Sequence, residues 1–216
     1  MKNIASPLFQ GLSGEELEAL ARAGFLRKKQ FAKHEVIFRA GTRVREIGIV
    51  LRGVVHLENL DLWGTKSILS SVSAGQAFAE TYAFCGEALM VDAVAAENCE
   101  VLFLHTGALS DSRVDAPVRN TLLRDLLAVS MRKNLSLSQR IFCTTPKTVR
   151  GRLLTYFSAQ AAKAGSTEFD VPFNRQQMAD YLNLDRSALS KELGRMRDEG
   201  LLEFEKNHFI LRQLPE

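Results

Sequence analysis

The stretch that decides the fold is NRQQMADYLNLDRSALSKELGRMRDEGLL, residues 174–202. Asn174 stands three residues before Gln177, a spacing at which each side chain satisfies an otherwise orphaned amide of a helix's first turn. A helix is expected there, with Met178, Ala179 and Leu182 on its buried face. Asn183 falls where this helix must stop, and asparagine tolerates the left-handed backbone of a tight turn. Asp185 then caps a second helix, whose inward stripe is Leu189, Leu193 and Met196 at i, i+4 and i+7. After Gly200, LLEFEKNHFILRQL reads as two strands around a Lys206-Asn207-His208 turn, a small wing.

The outward face of the second helix carries Arg186, Ser187, Ser190 and Lys191. This spacing projects long donors and small hydroxyls from the helix's N-terminal half. In a helix-turn-helix that half enters the major groove, where an arginine can donate bidentately to guanine and serines adapt to either partner. The alternatives are a helical hairpin whose charged face is merely solvated and a module whose hairpin binds a protein. The caps, the turn asparagine, the inward triplet and the wing together favour double-stranded DNA.

Working outward, VRGRLLTYFSAQAAKAG reads as a helix ending near Gly165, and STEFDVPF as an extended link. TTPKT, residues 144–148, is a hinge, because Pro146 is incompatible with a helix interior and disfavours helix at Thr145. Before it, VRNTLLRDLLAVSMRKNLSLSQRIF is helical for more than 20 residues, with two apolar stripes: Leu122, Leu126 and Val129, and beside them Leu123, Leu127 and Met131. One stripe can pack on the same chain's N-terminal domain, and the other can pair with the same helix of a second subunit, as in a coiled coil. Burial of both stripes within a monomer is the alternative.

Further upstream, Ser13 and Glu16 form another capping-box pair and open a short helix. From about residue 25 to 106 the text changes to short runs rich in Val, Ile and Phe, punctuated by Gly41, Gly53, Gly64, Gly75 and Gly86. Short strands between regular turn signals predict an antiparallel sandwich or barrel. The fold class is therefore α+β: an N-terminal antiparallel β-roll, a long dimerisation helix and a C-terminal winged helix-turn-helix.

Composition agrees. The chain has 216 residues, 46% hydrophobic and 25% charged, with a formal net charge of +3, an ordinary globular profile. Cys85, Cys99 and Cys143 match no ligand spacing and read as reduced thiols. The first residues lack a signal-peptide apolar core of roughly 7 to 15 residues, and no apolar run is long enough to span a bilayer. A cytoplasmic protein is expected. The charge is unevenly placed: the chain carries −1 up to Asp125 and +4 beyond it. No acid occurs from 126 to 167, where Arg132, Lys133, Arg140, Lys147, Arg150, Arg152 and Lys163 lie, so the hinge region is expected to add modest electrostatic support for DNA binding.

With RQQMADYLNLDRSALSKEL as its most specific part, the sequence resembles the cyclic-AMP receptor protein and fumarate-nitrate reductase regulator (Crp/Fnr) transcription factors over nearly its whole length. The resemblance implies a β-roll sensing domain over residues 1–115, a dimerisation helix over 116–143, a hinge over 144–147 and a winged helix-turn-helix over 148–216. It implies a homodimer reading a palindromic operator with half-sites about 34 Å apart, RNA polymerase as a partner, and no enzymatic activity. Carried over by position, Arg175 and Gln176 would hold phosphate, and Arg186, Ser187 and Lys191 would face base edges. Members sense cyclic AMP through a cassette in which a glutamate contacts ribose and an arginine-serine pair holds the phosphate. Here Glu80 falls at the glutamate position, but Leu89 and Met90 replace the pair, and no arginine occurs between Arg52 and Arg113. A cyclic phosphate buried without a paired cation costs several kcal/mol, so weak or no cyclic-AMP binding is expected.

The apolar replacements suggest a pocket for another small effector, lined by Phe78, Ala79, Leu89 and Met90 with Glu80 as its polar handle, or else a plain packed core. An iron-sulfur cluster needs four thiolates, which are absent from the N-terminal region. Haem has only isolated candidate ligands in Cys85, His34, His56 and His105, so no cofactor is expected. A cupin-like metal site wants converging histidines, and no two histidines lie within 20 residues of each other.

Overall fold

A computed structural model describes residues 4–60 and 66–212. Gly64, one of the expected turn glycines, lies outside the described residues, as do Gln213 and Leu214 at the end of the expected wing. The chain divides into two compact units, Met1–Arg132 and Lys133–Glu216, with the boundary inside the long helix.

The first unit opens with a three-residue helical turn, Pro7–Phe9, and α1 (Gly14–Arg22). Ser13 and Glu16 exchange both capping-box bonds at the start of α1. The strands follow as β1 (Leu26–Phe31), β2 (Val36–Phe38), β3 (Glu46–Arg52), β4 (Val54–Leu60), β5 (Lys66–Ser73), β6 (Ala77–Phe78), β7 (Asp92–Ala95) and β8 (Cys99–His105), with α2 (Glu80–Cys85) between β6 and β7. They form two four-stranded antiparallel sheets, ordered β1-β8-β3-β6 and β2-β7-β4-β5.

Strand geometry explains the apolar runs Ile47–Leu51 of β3 and Val101–Leu104 of β8. Ile47 pairs with Leu104 and Ile49 with Leu102, and these four join Leu17 and Leu20 of α1 in one core. The intervening Val50, Val101 and Phe103 belong to a second core with Phe31, Val55, Phe78 and Ala95. Both faces of these two strands are thus buried, giving continuous apolar runs rather than alternation. Phe38 meets Phe78 at 5.8 Å and Phe103 at 5.6 Å between ring centroids. Gly48 pairs with Phe78, and a β-carbon there would overlap the Phe78 ring. Gly53 turns β3 into β4 with a φ of 87°, a left-handed conformation that suits glycine.

The long helix α3 (Ala116–Thr144) spans 29 residues. Val118, Leu122 and Leu126 join the α1 core, while Val129 is only half-buried. The neighbouring stripe stays exposed: Leu123, Leu127, Met131 and Leu135, followed by Leu137, Ile141 and Phe142.

The second unit contains the end of α3, then α4 (Val149–Ala164), β9 (Glu168–Asp170), α5 (Arg175–Leu182), α6 (Arg186–Asp198), β10 (Leu202–Glu205) and β11 (His208–Leu211). Thr148 caps α4 by accepting from the Gly151 amide at 3.0 Å. The sheet order is β10-β11-β9. The segment read as an extended link therefore contributes a third strand, with Phe169 opposite Phe209. Helices and sheet close on Leu153, Tyr156, Phe157, Met178, Leu182, Leu189, Leu193, Met196 and Phe209.

Candidate nucleic-acid interface

Local chemistry sets the helix pair. The Asn174 side chain accepts from the Gln177 amide and the Gln177 side chain accepts from the Asn174 amide, both at 2.9 Å. Asn183 takes φ 53° and ψ 52°, the left-handed turn expected of it, and Leu184 donates back to the Ala179 carbonyl at 2.9 Å. Asp185 accepts from the Ala188 amide at 2.9 Å and from the Ser187 hydroxyl. The Ser187 bond, then the Ala188 amide, hold the Asp185 carboxyl below its ordinary range. Met178, Ala179 and Leu182 of α5, and Leu189, Leu193 and Met196 of α6, are all buried.

With that stripe inward, Arg186, Ser187, Ser190 and Lys191 lie exposed along the N-terminal half of α6. Ser187 donates to its own N-cap. Arg186, Ser190 and Lys191 have no hydrogen-bond or ion-pair partner among the described residues. The phosphate pair is placed differently. Gln176 is exposed, its amide donating to Asp180 Oδ1 at 2.8 Å. Arg175, expected to reach outward to phosphate, instead lies against the wing, its guanidinium 4.9 Å from the Phe204 ring centroid and 5.1 Å from that of Phe209. It is half-buried, its Nη1 is enclosed without a partner, and burial lowers its pKa. Apolar packing of its stem and stacking on two rings account for that placement.

The wing turns at Lys206 and Asn207, with Lys206 at φ 50°, so His208 is the first residue of β11 rather than part of the turn. His208 lies between two carboxylates of β9, its Nδ1 at 3.0 Å from Asp170 Oδ1 and its Nε2 at 3.1 Å from Glu168 Oε1. These pairings, Asp170 foremost, raise its pKa.

Sequence reasoning missed the role of the basic run before α5. Arg150 donates from Nε to Glu192 at 2.6 Å and from both terminal nitrogens to Glu199 at 2.8 Å, fastening α4 to α6. Arg140 and Arg152 donate to backbone carbonyls. Three of the cations counted as an electrostatic footprint are therefore engaged within the domain. Apart from Pro146, six residues from Arg152, their partners lie 30 to 49 residues away in sequence, beyond the reach of any local pattern.

In the β-roll, the expected effector residues are not brought together as one wall. Phe78 is buried against aromatic neighbours, Ala79 takes a left-handed φ of 62° before α2, and Glu80 and Leu89 are 5% and 6% exposed. Met90 is 75% exposed; it sits in the bend before β7 and faces solvent, which removes it from the expected lining. The position that should present a cation is a buried leucine, and the nearby Arg43, whose backbone bridges Ala88, is exposed. Among the described residues no group of three or more His, Cys, Asp or Glu side chains could hold a metal, and no helix is long and apolar enough to cross a membrane.

A two-sheet domain of the cyclic-nucleotide-binding type, a long helix and a winged helix-turn-helix define a DNA-binding transcription regulator. Residues 28–111 match the cyclic nucleotide-binding domain and residues 151–216 match the Crp-like helix-turn-helix domain. Together these span well over half of the chain, which belongs to the Crp/Fnr family. It is similar to electron transport regulator A of Shewanella oneidensis, with 23% identity over 196 residues, covering 86% of this chain and 74% of that protein. It also resembles the catabolite activator protein of Thermus thermophilus, with 25% identity and a TM-score of 0.50 over 96% of this chain and 94% of that one. OCPA-complexed CprK shares the fold at 15% identity, with a TM-score of 0.65 over 90% of this chain and 89% of that one.

Proposed function

We propose that the chain acts as a homodimeric, sequence-specific regulator that reads a palindromic operator through α6 and answers to a small effector other than cyclic AMP. The observation that carries this reading is the exposed row of Arg186, Ser190 and Lys191, whose side chains have no partner among the described residues while the rest of α6 is locked by its cap and core. Arg186 would donate to guanine, with Ser187, Ser190 and Lys191 completing the base-facing set. The exposed apolar stripe of α3 from Leu123 to Leu135 favours pairing with a second copy. Two recognition helices would then meet half-sites about one helical turn apart. RNA polymerase would be its partner at promoters, the cytoplasm its compartment, and no enzymatic step or cofactor is invoked.

Selection of bound duplexes from a random library tests this. A palindromic consensus, bound with an affinity that falls steeply as salt rises, is the expected result. Salt-insensitive or sequence-indifferent binding would contradict it. Calorimetry with cyclic AMP should show no micromolar binding.

A further inference from the structure

The last carbonyls of a helix lack partners within it. At the end of α5 two arginines from outside the helix-turn-helix supply them. Arg140, near the end of α3, donates to the carbonyls of Asp180 at 3.0 Å and Tyr181 at 3.1 Å. Arg152, in the first turn of α4, donates to those of Leu182 at 3.1 Å and Asn183 at 2.8 Å. The Nε of Arg152 also donates to the Pro146 carbonyl at 2.8 Å, in the link between α3 and α4. Carbonyls of four consecutive residues, Asp180 to Asn183, are thus held by two guanidinium groups, Arg140 through Nε and Nη2 and Arg152 through Nη1 alone. The segment they hold contains the left-handed Asn183, which turns the chain out of α5 towards the Asp185 cap of α6.

The charge makes sense of the residue type. Cations complement the negative end of a helix dipole, and the planar guanidinium can span two neighbouring carbonyls where an ammonium is a point charge. The acid-free run leaves these arginines without a competing carboxylate in their own segment.

We propose that Arg140 and Arg152 are positioning residues for DNA reading, tying the end of the long helix and the Pro146 link to the turn that aims α6. This rests on the DNA-reading function proposed above. The end of α3 cannot rotate against the helix pair without breaking bonds to that turn, so the same bonds would carry a change in α3 to α6.

Arg140 is the residue to test, since its side chain is at the surface and its loss leaves the domain core intact. In the full chain, Arg140→Ala and Arg140→Lys should each weaken binding to the selected duplex about tenfold. The slope of log affinity against log salt should not change, and amide hydrogen exchange should accelerate at Asn183 and Leu184. A slope reduced by about one would mean that Arg140 touches phosphate directly, and it would overturn the proposal. Full affinity in the lysine variant, or unchanged exchange, would overturn it as well. If the wild type selects no duplex at all, the DNA reading falls, and exchange alone then decides: faster exchange at the turn supports the tie, and unchanged exchange refutes it.

Discussion

The N-terminal half of α6 and the cassette over residues 75–94 are the two places where the family resemblance expects ligands, and the chain treats them in opposite ways. Along α6 the inward positions are filled by Leu189, Leu193 and Met196, and the outward ones keep free donors in solvent. Along the cassette the glutamate survives as a buried Glu80, while the position that should offer a cation holds a buried Leu89. The two scaffolds therefore differ in what they present: α6 keeps exposed donors, and the cassette buries a leucine where the family resemblance expects a cation. Core positions preserve a fold, and a few side chains decide what it binds.

The largest effect should come from forcing the two regions to resemble each other. Leu89→Arg places an unpaired cation in the β-roll and should cost roughly 3 kcal/mol or more, measured by denaturant unfolding. Cyclic AMP should raise the unfolding midpoint of that variant and leave the wild type unmoved. An unaltered midpoint for Leu89→Arg would mean that the cassette is open and hydrated, and the contrast with α6 would fail. A smaller effect is expected at Arg175, whose guanidinium stacks on Phe204 and Phe209. Arg175→Ala should destabilise the C-terminal domain by about 1 kcal/mol and leave the salt slope of DNA binding intact. A reduced slope would restore Arg175 to the phosphate backbone.

The smallest effect concerns the wing. The His208 pKa is raised in the folded state, so its contribution is fully present below the unfolded value of 6.5 and is lost as pH rises through the folded value. Thermal melts should show the C-terminal domain losing a little stability as pH climbs from about 6 through that value. His208→Gln should flatten this slope, because it removes the titrating group that Asp170 and Glu168 hold. A slope that survives the substitution would assign it to another group.

These expectations follow how much of each region was legible in the sequence. Ser13 with Glu16, Asn174 with Gln177, Asn183 and Asp185 act on backbone within three residues, so spacing alone announced them. The apolar stripes of α5 and α6 were legible for the same reason, since helical periodicity is local. β9 was not, because its partner β11 lies about 40 residues on and a three-residue strand has no periodicity of its own. In sequence Arg150 and Arg152 are only net charge, because the carboxylates and most of the carbonyls that engage them lie 30 or more residues away. Met90 stands beside Leu89 in sequence, but the bend before β7 turns it to solvent while Leu89 is buried, and a bend has no periodicity to read. Arg175 carried a family role outward, whereas the aromatic wing folded it in.

Base reading by α6 would rest first on Arg186. The most direct test is the base-preference profile of Arg186→Ala beside that of the wild type, taken from selected duplexes at one salt concentration. The expected result is a loss of about 1 to 3 kcal/mol in discrimination confined to one position of each half-site. A profile that keeps every preference, with affinity merely lowered throughout, would contradict it.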